Sequence, residues 1–295
     1  MIDEIEKYSN TDTAKSYVFT ILLPTWNNID YLKLCLRSIN SNSTFSHQII
    51  VVVNEGSDGT VEWIKSQKDI DYIISPTNIG ICLALNACRS LIKTDYVAYA
   101  NDDMYFLPGW DKILFDEIQK LGHKSFMLSS TMIEPLGYNT CTVTQNFGTD
   151  IATFKEQELL KQYSSFIRED WNGSTWPPNV MHIDCWDLVG GMSIEFSPGM
   201  YSDPDLSRKL WQIGVRHFVG KGNSLVYHFG CKSTGRVKKN KGQYTFIKKW
   251  GITSRTFSDK YVLRGQHVSQ AIKEPIFSRF EKMTQLVKQI RAILR

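Results

Sequence analysis

The six cysteines of this 295-residue chain, Cys35, Cys82, Cys88, Cys141, Cys185 and Cys231, form no CxxC pair and keep no regular spacing. That excludes a disulfide frame or a cysteine zinc site as the organising feature, and makes a reducing compartment the expectation. No apolar run approaches the roughly 20 residues of a membrane-spanning helix. The opening MIDEIEKYSNTDTAKSY is polar and charged, so neither signal peptide nor anchor is expected there; the expected location is cytoplasmic, at most peripheral on the inner face of a membrane. Charge of one sign is also scarce. Thirty-four Lys and Arg against 30 Asp and Glu leave a formal charge of +4, too little for wholesale nucleic-acid binding. The bases that exist gather at Lys232, Arg236, Lys238, Lys239, Lys241, Lys248 and Lys249, which favours a local anionic partner. Internal repeats and low-complexity segments are absent from the sequence.

What is present is a 42% hydrophobic content, enough for one large core, and a strand-helix alternation. YVFTILLPTWNN followed by IDYLKLCLRSI reads as strand, turn and helix, with Leu32, Leu34, Cys35, Leu36 and Ile39 on the buried side. HQIIVVVNEGSDGTVEWIKSQ repeats the unit, with Ser57 or Asp58 as N-cap; its unbroken apolar run predicts a strand covered on both faces. A helix from about Gly80 to Ile92 leads into DYVAYANDDMYFLPGW. The expectation is an α/β fold with a mainly parallel twisted sheet, helices on both faces and a C-terminal helical extension. Residues 1–16 read as an arm, 17–235 as the main domain with an insertion at about 135–180, and 236–295 as a basic, helical extension.

In a doubly wound sheet, ligands bind beyond the carboxyl ends of the strands, where Asn101, Asp102 and Asp103 are expected. Two adjacent acids there fit a helix cap, but Asp111 reads as the better placed cap of the next helix. They also fit a divalent-metal site completed by a substrate diphosphate.

FTILLPTWNN, IIVVVNEGSDGT, TNIGICLALNACR, YVAYANDDM, LVGGMSIEF and YSDPDLSRKLWQIG, in this order, resemble the family 2 glycosyltransferases of the GT-A fold over roughly residues 17–235. The resemblance implies an inverting transferase that moves a sugar from a nucleotide-diphosphate donor to an acceptor hydroxyl. NDD stands where the family has its D-x-D motif: Asp103 would bind Mn²⁺ or Mg²⁺, Asp102 would support the ribose or the metal's water, and Asn101 replaces a usual Asp. Pro24, Thr25 and Trp26 match the turn against the nucleobase, though Trp26 fits core packing equally. Glu55 falls near the acid that reads the base, or Asn54 does if the one-residue gap is placed differently. Asn78 and Gly80 match N-x-G, and Arg89 either reaches the diphosphate or points to solvent. In SPGMYSDPDLSRKL, Asp203 takes the general-base position and Asp205 the helix cap. His228, with Gly230 and Ser233 after it, matches a third metal ligand, against the plainer reading of a structural histidine; imidazole ligation would favour Mn²⁺. The basic stretch from Arg236 would close over the donor or meet an anionic acceptor.

The acceptor expected from this resemblance is a glycan or glycolipid in surface polysaccharide or glycoconjugate synthesis, with no nucleic-acid partner. Trp171, Trp176 and Trp186 either stack sugar rings or pack the insertion. FSRFEKMTQLVKQIRAILR forms an amphipathic helix for the core, a partner or a membrane surface. Two other readings stand beside the transferase: a nucleotidyltransferase on a related sheet, for which PTWNNID lacks the usual Gly-rich basic loop, and a catalytically inactive carbohydrate-binding module.

Overall fold

The computed structural model describes residues 4–10, 12, 14–137, 139–230, 236, 240–269 and 272–294. Its strands are β1 (Glu6–Tyr8), β2 (Phe19–Trp26), β3 (Gln48–Asn54), β4 (Asp71–Ser75), β5 (Tyr96–Tyr99), β6 (Met104–Phe106), β7 (Phe126–Glu134), β8 (Val143–Thr144), β9 (Trp171–Asn172), β10 (Asn179–His182) and β11 (His217–His228). The helices are α1 (Ile29–Asn42), α2 (Thr60–Lys65), α3 (Gly80–Ala87), α4 (Trp110–Leu121), α5 (Glu156–Gln162), α6 (Ile183–Leu188), α7 (Ser202–Gln212), α8 (Gly242–Trp250), α9 (Ser254–Thr256) and α10 (Arg279–Ile293).

One sheet runs β1-β4-β3-β2-β5-β10-β7-β11-β6. Strands β4, β3, β2 and β5 are mutually parallel, and the chain winds outward through β3 and β4 on one side of β2 and then returns to place β5 on the other. The switch point therefore lies between β2 and β5, where a doubly wound sheet opens a crevice at the strands' carboxyl ends. The unbroken apolar run of β3 has the predicted cause. Ile50 and Val52 enter one core cluster and Ile49, Val51 and Val53 the other, because alternate side chains of a strand point to opposite faces. The five predicted inward residues of α1 are all buried.

Several expectations need correction. The insertion expected at about 135–180 runs into the sheet at its end: β8 pairs with β7, β9 with β11, and β10, which begins at Asn179, sits inside the sheet, antiparallel to both β5 and β7. The N-terminal arm supplies edge strand β1. Gly59, at φ 90°, precedes α2 in place of the expected Ser57 or Asp58, while Asp58 accepts from the Thr60 and Ile29 amides. Asp111 does not cap α4, which starts after Gly109. Its buried carboxylate instead accepts from the Thr44 and Phe45 amides and lies 3.0 Å from His47 Nε2, fixing the connection between α1 and β3. Trp171 and Trp186 are buried in the core, so neither is a sugar platform.

Helix α10 is built inside out relative to a core helix. Its capping box at Ser278 and Glu281 starts it cleanly, but Gln285 donates to Thr256 Oγ1, Gln289 donates to the Gly251 carbonyl, and Ala292 is the buried apolar residue. Phe280, Met283, Leu286, Ile290 and Leu294 face outward. No described helix is long and apolar enough to cross a membrane.

Candidate active site

The carboxyl ends of β2, β3 and β5 open into a cavity of about 490 Å³. Pro24, Thr25, Trp26, Asn54, Asn78, Gly80, Asn101, Asp102, Asp103, Asp203 and His228 all line it. Sequence reasoning had drawn these residues from six separate stretches; topology brings them together.

Each is placed by local structure. Parallel pairing aligns Trp26 with Asn54 at the ends of β2 and β3. Asn54 Oδ1 accepts from the Ile79 amide and Asn78 Oδ1 from the Gly80 amide, tying the α3 start to the sheet. Gly80 is required there: its φ is +74°, and a Cβ would lie 2.7 Å from Pro198 Cα, so a side chain would push away the loop that carries the cavity's far wall. Tyr99 donates its hydroxyl to Asn101 Oδ1 at 3.2 Å.

Asp102 and Asp103 are both buried. Burial first, and then the charge of Asp103, push Asp102 well above the usual carboxylate range; Thr25, Asn28 and Arg236 pull the other way. Among the described residues, however, Thr25 Oγ1, Asn28 Nδ2 and Asp102 Oδ2 only approach one another, and none completes a well-formed hydrogen bond. Poorly satisfied polar atoms in one corner are costly unless a ligand meets them.

After Asp103 the chain enters β6 and pairs with β11, His228 opposite Met104, and the Phe229 amide donates to the Asp103 carbonyl. This register brings His228 Nε2 to 3.4 Å from Asp103 Oδ1. On its other side His228 Nδ1 lies 2.7 Å from Glu134 Oε1. A proton on Nδ1 shared with Glu134 turns the Nε2 lone pair toward the Asp103 carboxylate, and two electron-rich atoms facing each other suit a cation between them. Carboxylate oxygen with imidazole nitrogen is a donor set that fits Mn²⁺. Among the described residues there is no ready-made group of three or more metal-ligating side chains, so a bound ion would draw further oxygens from substrate or water.

Across the cavity, α7 begins after Tyr201, at φ 72°. Asp203 lies in its first turn, and neither it nor Asp205 is the cap, which corrects the expectation for Asp205. The two acids differ in surroundings. Asp205 is fully buried, accepts from Trp250 Nε1 at 2.7 Å and pairs with Lys249 at 3.0 Å. Among the described residues no hydrogen bond or ion pair reaches the Asp203 carboxylate, and burial alone pushes it up to about 7.

Two expected donor residues lie elsewhere. Arg89 stands on the 3₁₀ turn after α3 and forms a two-pronged pair with Asp187, at 2.5 and 2.6 Å; it neither reaches the cavity nor points freely to solvent. Glu55 is exposed outside the cavity wall and accepts from Trp26 Nε1 at 2.7 Å, so of the two alternatives Asn54 enters the cavity while Glu55 holds the indole. Arg236 lies 4.7 Å over the Trp26 ring and donates to the Trp26 carbonyl at 2.6 Å. Ser233, Lys238 and Lys239 lie outside the described residues. Sequence reasoning missed Glu134 and Arg264, and left Trp176 between sugar stacking and packing; all three line the cavity. An acid closing an apolar run, as Glu134 closes FMLSSTMIE, is the same signal that marked Asp102; nothing in the sequence marked Arg264.

Residues 20–170, just over half of the chain, match glycosyl transferase family 2. Glycosyltransferase GlyA of Streptococcus pneumoniae serotype 4 is 30% identical over 103 residues, 34% of this chain but 15% of that protein. Among solved structures, S. aureus TarS 1–349 in complex with UDP-GlcNAc has a TM-score of 0.55 at 13% identity, over 93% of this chain and 72% of that one. GalNAc-T7 with UDP, GalNAc and Mn²⁺ has a TM-score of 0.57 at 13% identity, over 83% of this chain and 50% of that one. At such identities the likeness is one of fold, the GT-A fold of glycosyltransferases. The sequence match, the switch-point cavity and the fold agree, and the chain belongs to glycosyl transferase family 2.

Proposed function

We propose that this protein is an inverting glycosyltransferase: it moves a sugar from a nucleotide-diphosphate donor to a hydroxyl of a glycan or glycolipid, in surface polysaccharide or glycoconjugate synthesis. The observation that carries the reading is that one cavity is lined both by the acid pair Asp102 and Asp103, from the end of β5, and by Asp203, from the start of α7, whose carboxylate no described residue pairs. Inversion is a single displacement, which needs a base on the side opposite the leaving group.

In this mechanism Trp26 and Asn54 border the nucleobase. Thr25, Asn28 and Asp102 supply hydrogen bonds to the ribose and first phosphate, and Arg236, beside Trp26 and Asp102, supplies positive charge near the diphosphate. Asp103 and His228 would hold Mn²⁺ or Mg²⁺, which when bound stabilises the charge growing on the leaving diphosphate. Glu134 keeps the His228 ring oriented. Asp203 takes the proton from the acceptor hydroxyl as its oxygen attacks the anomeric carbon and the bond to the diphosphate breaks. A UDP-type donor and Mn²⁺ are supported by the ligands in the TarS and GalNAc-T7 crystals. The outward apolar side of α10, with Arg279, Lys282, Lys288 and Arg291 on the same helix, fits peripheral contact with an anionic membrane, placing the enzyme on the cytoplasmic face.

The test is a thermal-shift titration with UDP, with and without Mn²⁺. Stabilisation by UDP that requires Mn²⁺ is expected in the wild type, and its loss in Asp103→Ala and His228→Ala, each measured against that variant's own unliganded melting temperature. UDP binding indifferent to Mn²⁺ in the wild type would remove the metal from the mechanism.

A further inference from the structure

Beyond Asp203 the main cavity continues into a smaller one of about 310 Å³, which shares Trp176, Asp203 and Arg264 with it and is closed further out by Ser254 and Ser258. If the base acts on the side opposite the leaving diphosphate, this is the direction from which the acceptor arrives. The inference below rests on that reading.

Arg264 is held there by more than its own flexible chain. Its amide donates to the Ser258 carbonyl at 2.9 Å, the Gly265 amide to the Asn172 carbonyl at 2.8 Å, and the Gln266 amide to the Leu263 carbonyl at 3.1 Å. Leu263 adopts φ 50°, a left-handed conformation costly for a branched residue. Gly173 lies so close that a Cβ on it would sit 2.5 Å from Arg264 Cα. The guanidinium rests 4.8 Å over the Trp176 ring, which stacks at 5.7 Å and 19° on buried Trp171. Trp171 is fixed in turn through its indole N–H to Thr131 Oγ1 at 2.8 Å. Trp176, which lines both cavities, is thus seated against Trp171 and serves as a shelf for the guanidinium.

Among the described residues no carboxylate pairs with Arg264. Arg264 is an exposed residue, but the strained turn and the close glycine approach fix its backbone and Trp176 seats its guanidinium at the wall of both cavities, where a flat guanidinium is placed to meet the phosphate or carboxylate of a ligand through two parallel hydrogen bonds. Asp102 and Asp103 line the main cavity but not the smaller one, and Arg236 lies beside Asp102 and Trp26. We propose that the smaller cavity is the acceptor subsite and that the acceptor is a saccharide carrying a phosphate or carboxylate near the reacting hydroxyl, with Arg264 binding that anionic group.

The experiment titrates glucose, glucose 6-phosphate and glucuronic acid into protein saturated with Mn²⁺ and UDP, and follows binding by saturation-transfer NMR. At least tenfold tighter binding of one or both anionic sugars over glucose is expected, and which of the two wins identifies the anion. Arg264→Gln should erase the difference while UDP affinity holds. Equal binding of all three sugars by the wild type overturns the proposal. So does an Arg264→Gln protein that keeps the anion preference but loses UDP affinity, which would assign the guanidinium to the donor. If the wild type binds no UDP, the transferase reading has failed separately. The same sugar titration without nucleotide then still decides whether Arg264 selects an anion.

Discussion

Replacing Asp203 by Asn should make the enzyme worse and the fold better. The carboxyl is raised from 3.8 to about 7 by burial, with no cation or hydrogen-bond donor among the described residues to offset it. At about 1.36 kcal/mol for each tenfold change, holding it ionised in the native state costs at most roughly 4 kcal/mol. Its open side toward the cavity and local relaxation reduce this to about 1–2 kcal/mol. The sign follows from linkage: with the folded value above the unfolded one, stability is fully present below pH 3.8 and lost as pH rises through about 7. Asn carries no such penalty. Melting curves of wild type and Asp203→Asn should therefore coincide near pH 3.8 and separate on the way to pH 7. The variant should melt roughly 2–3 °C higher above that, given about 2.1 cal/mol/K of unfolding entropy per residue. Single-turnover transfer should rise with pH around 7 in the wild type and fall about 10²- to 10⁴-fold in the variant. A variant that transfers at the wild-type rate, or that melts below wild type at pH 8, would refute the reasoning.

Asp205→Asn should do the reverse: it removes the charge that faces Lys249 and Trp250, and breaking a buried pair costs about 3–5 kcal/mol. Because Lys249 also reaches Glu195 at 2.8 Å, roughly 2–3 kcal/mol is expected, a melting loss of about 3–5 °C, with donor affinity intact; loss of transfer without loss of stability would move the base to Asp205. Leu286→Glu with Ile290→Glu should abolish salt-sensitive sedimentation with anionic vesicles, to which each nearby Lys or Arg contributes about 1 kcal/mol, and spare turnover on a soluble acceptor. Unchanged sedimentation, or a change in oligomeric state instead, would assign the exposed stripe of α10 to another partner.

The sheet was legible because its signal is local: the unbroken run in β3 and the spacing of Leu32, Cys35, Leu36 and Ile39 in α1 report burial residue by residue. The cavity-lining strand ends were legible for a related reason, since they are visible as the places where apolar runs stop at Trp26, Asn54 and Asn101. Pairings across distance were not. That Arg89 meets Asp187, that Asp111 serves His47, and that Asp205 is neutralised by Lys249 and Trp250 depend on segments 44–98 residues apart, which no spacing rule connects. The boundary near residue 180 misled because β10, Asn179–His182, is short and follows polar sequence. Its place in the sheet comes from neighbours on both sides, whereas its own propensity is weak.

The β6–β11 pairing sets a timetable for the chain's own synthesis. Asp103 leaves the ribosome 125 residues ahead of His228, the gap between their positions, or roughly 6–25 s earlier at ordinary elongation rates. During that interval β2, β3, β4 and β5 have all been made and can enclose the nucleotide side of the crevice, but the imidazole that faces Asp103 does not yet exist. On the proposed role of Asp103 and His228 as metal ligands, a nascent chain halted before residue 228 should hold nucleotide without metal selectivity, and transfer should begin only once the last strand has docked.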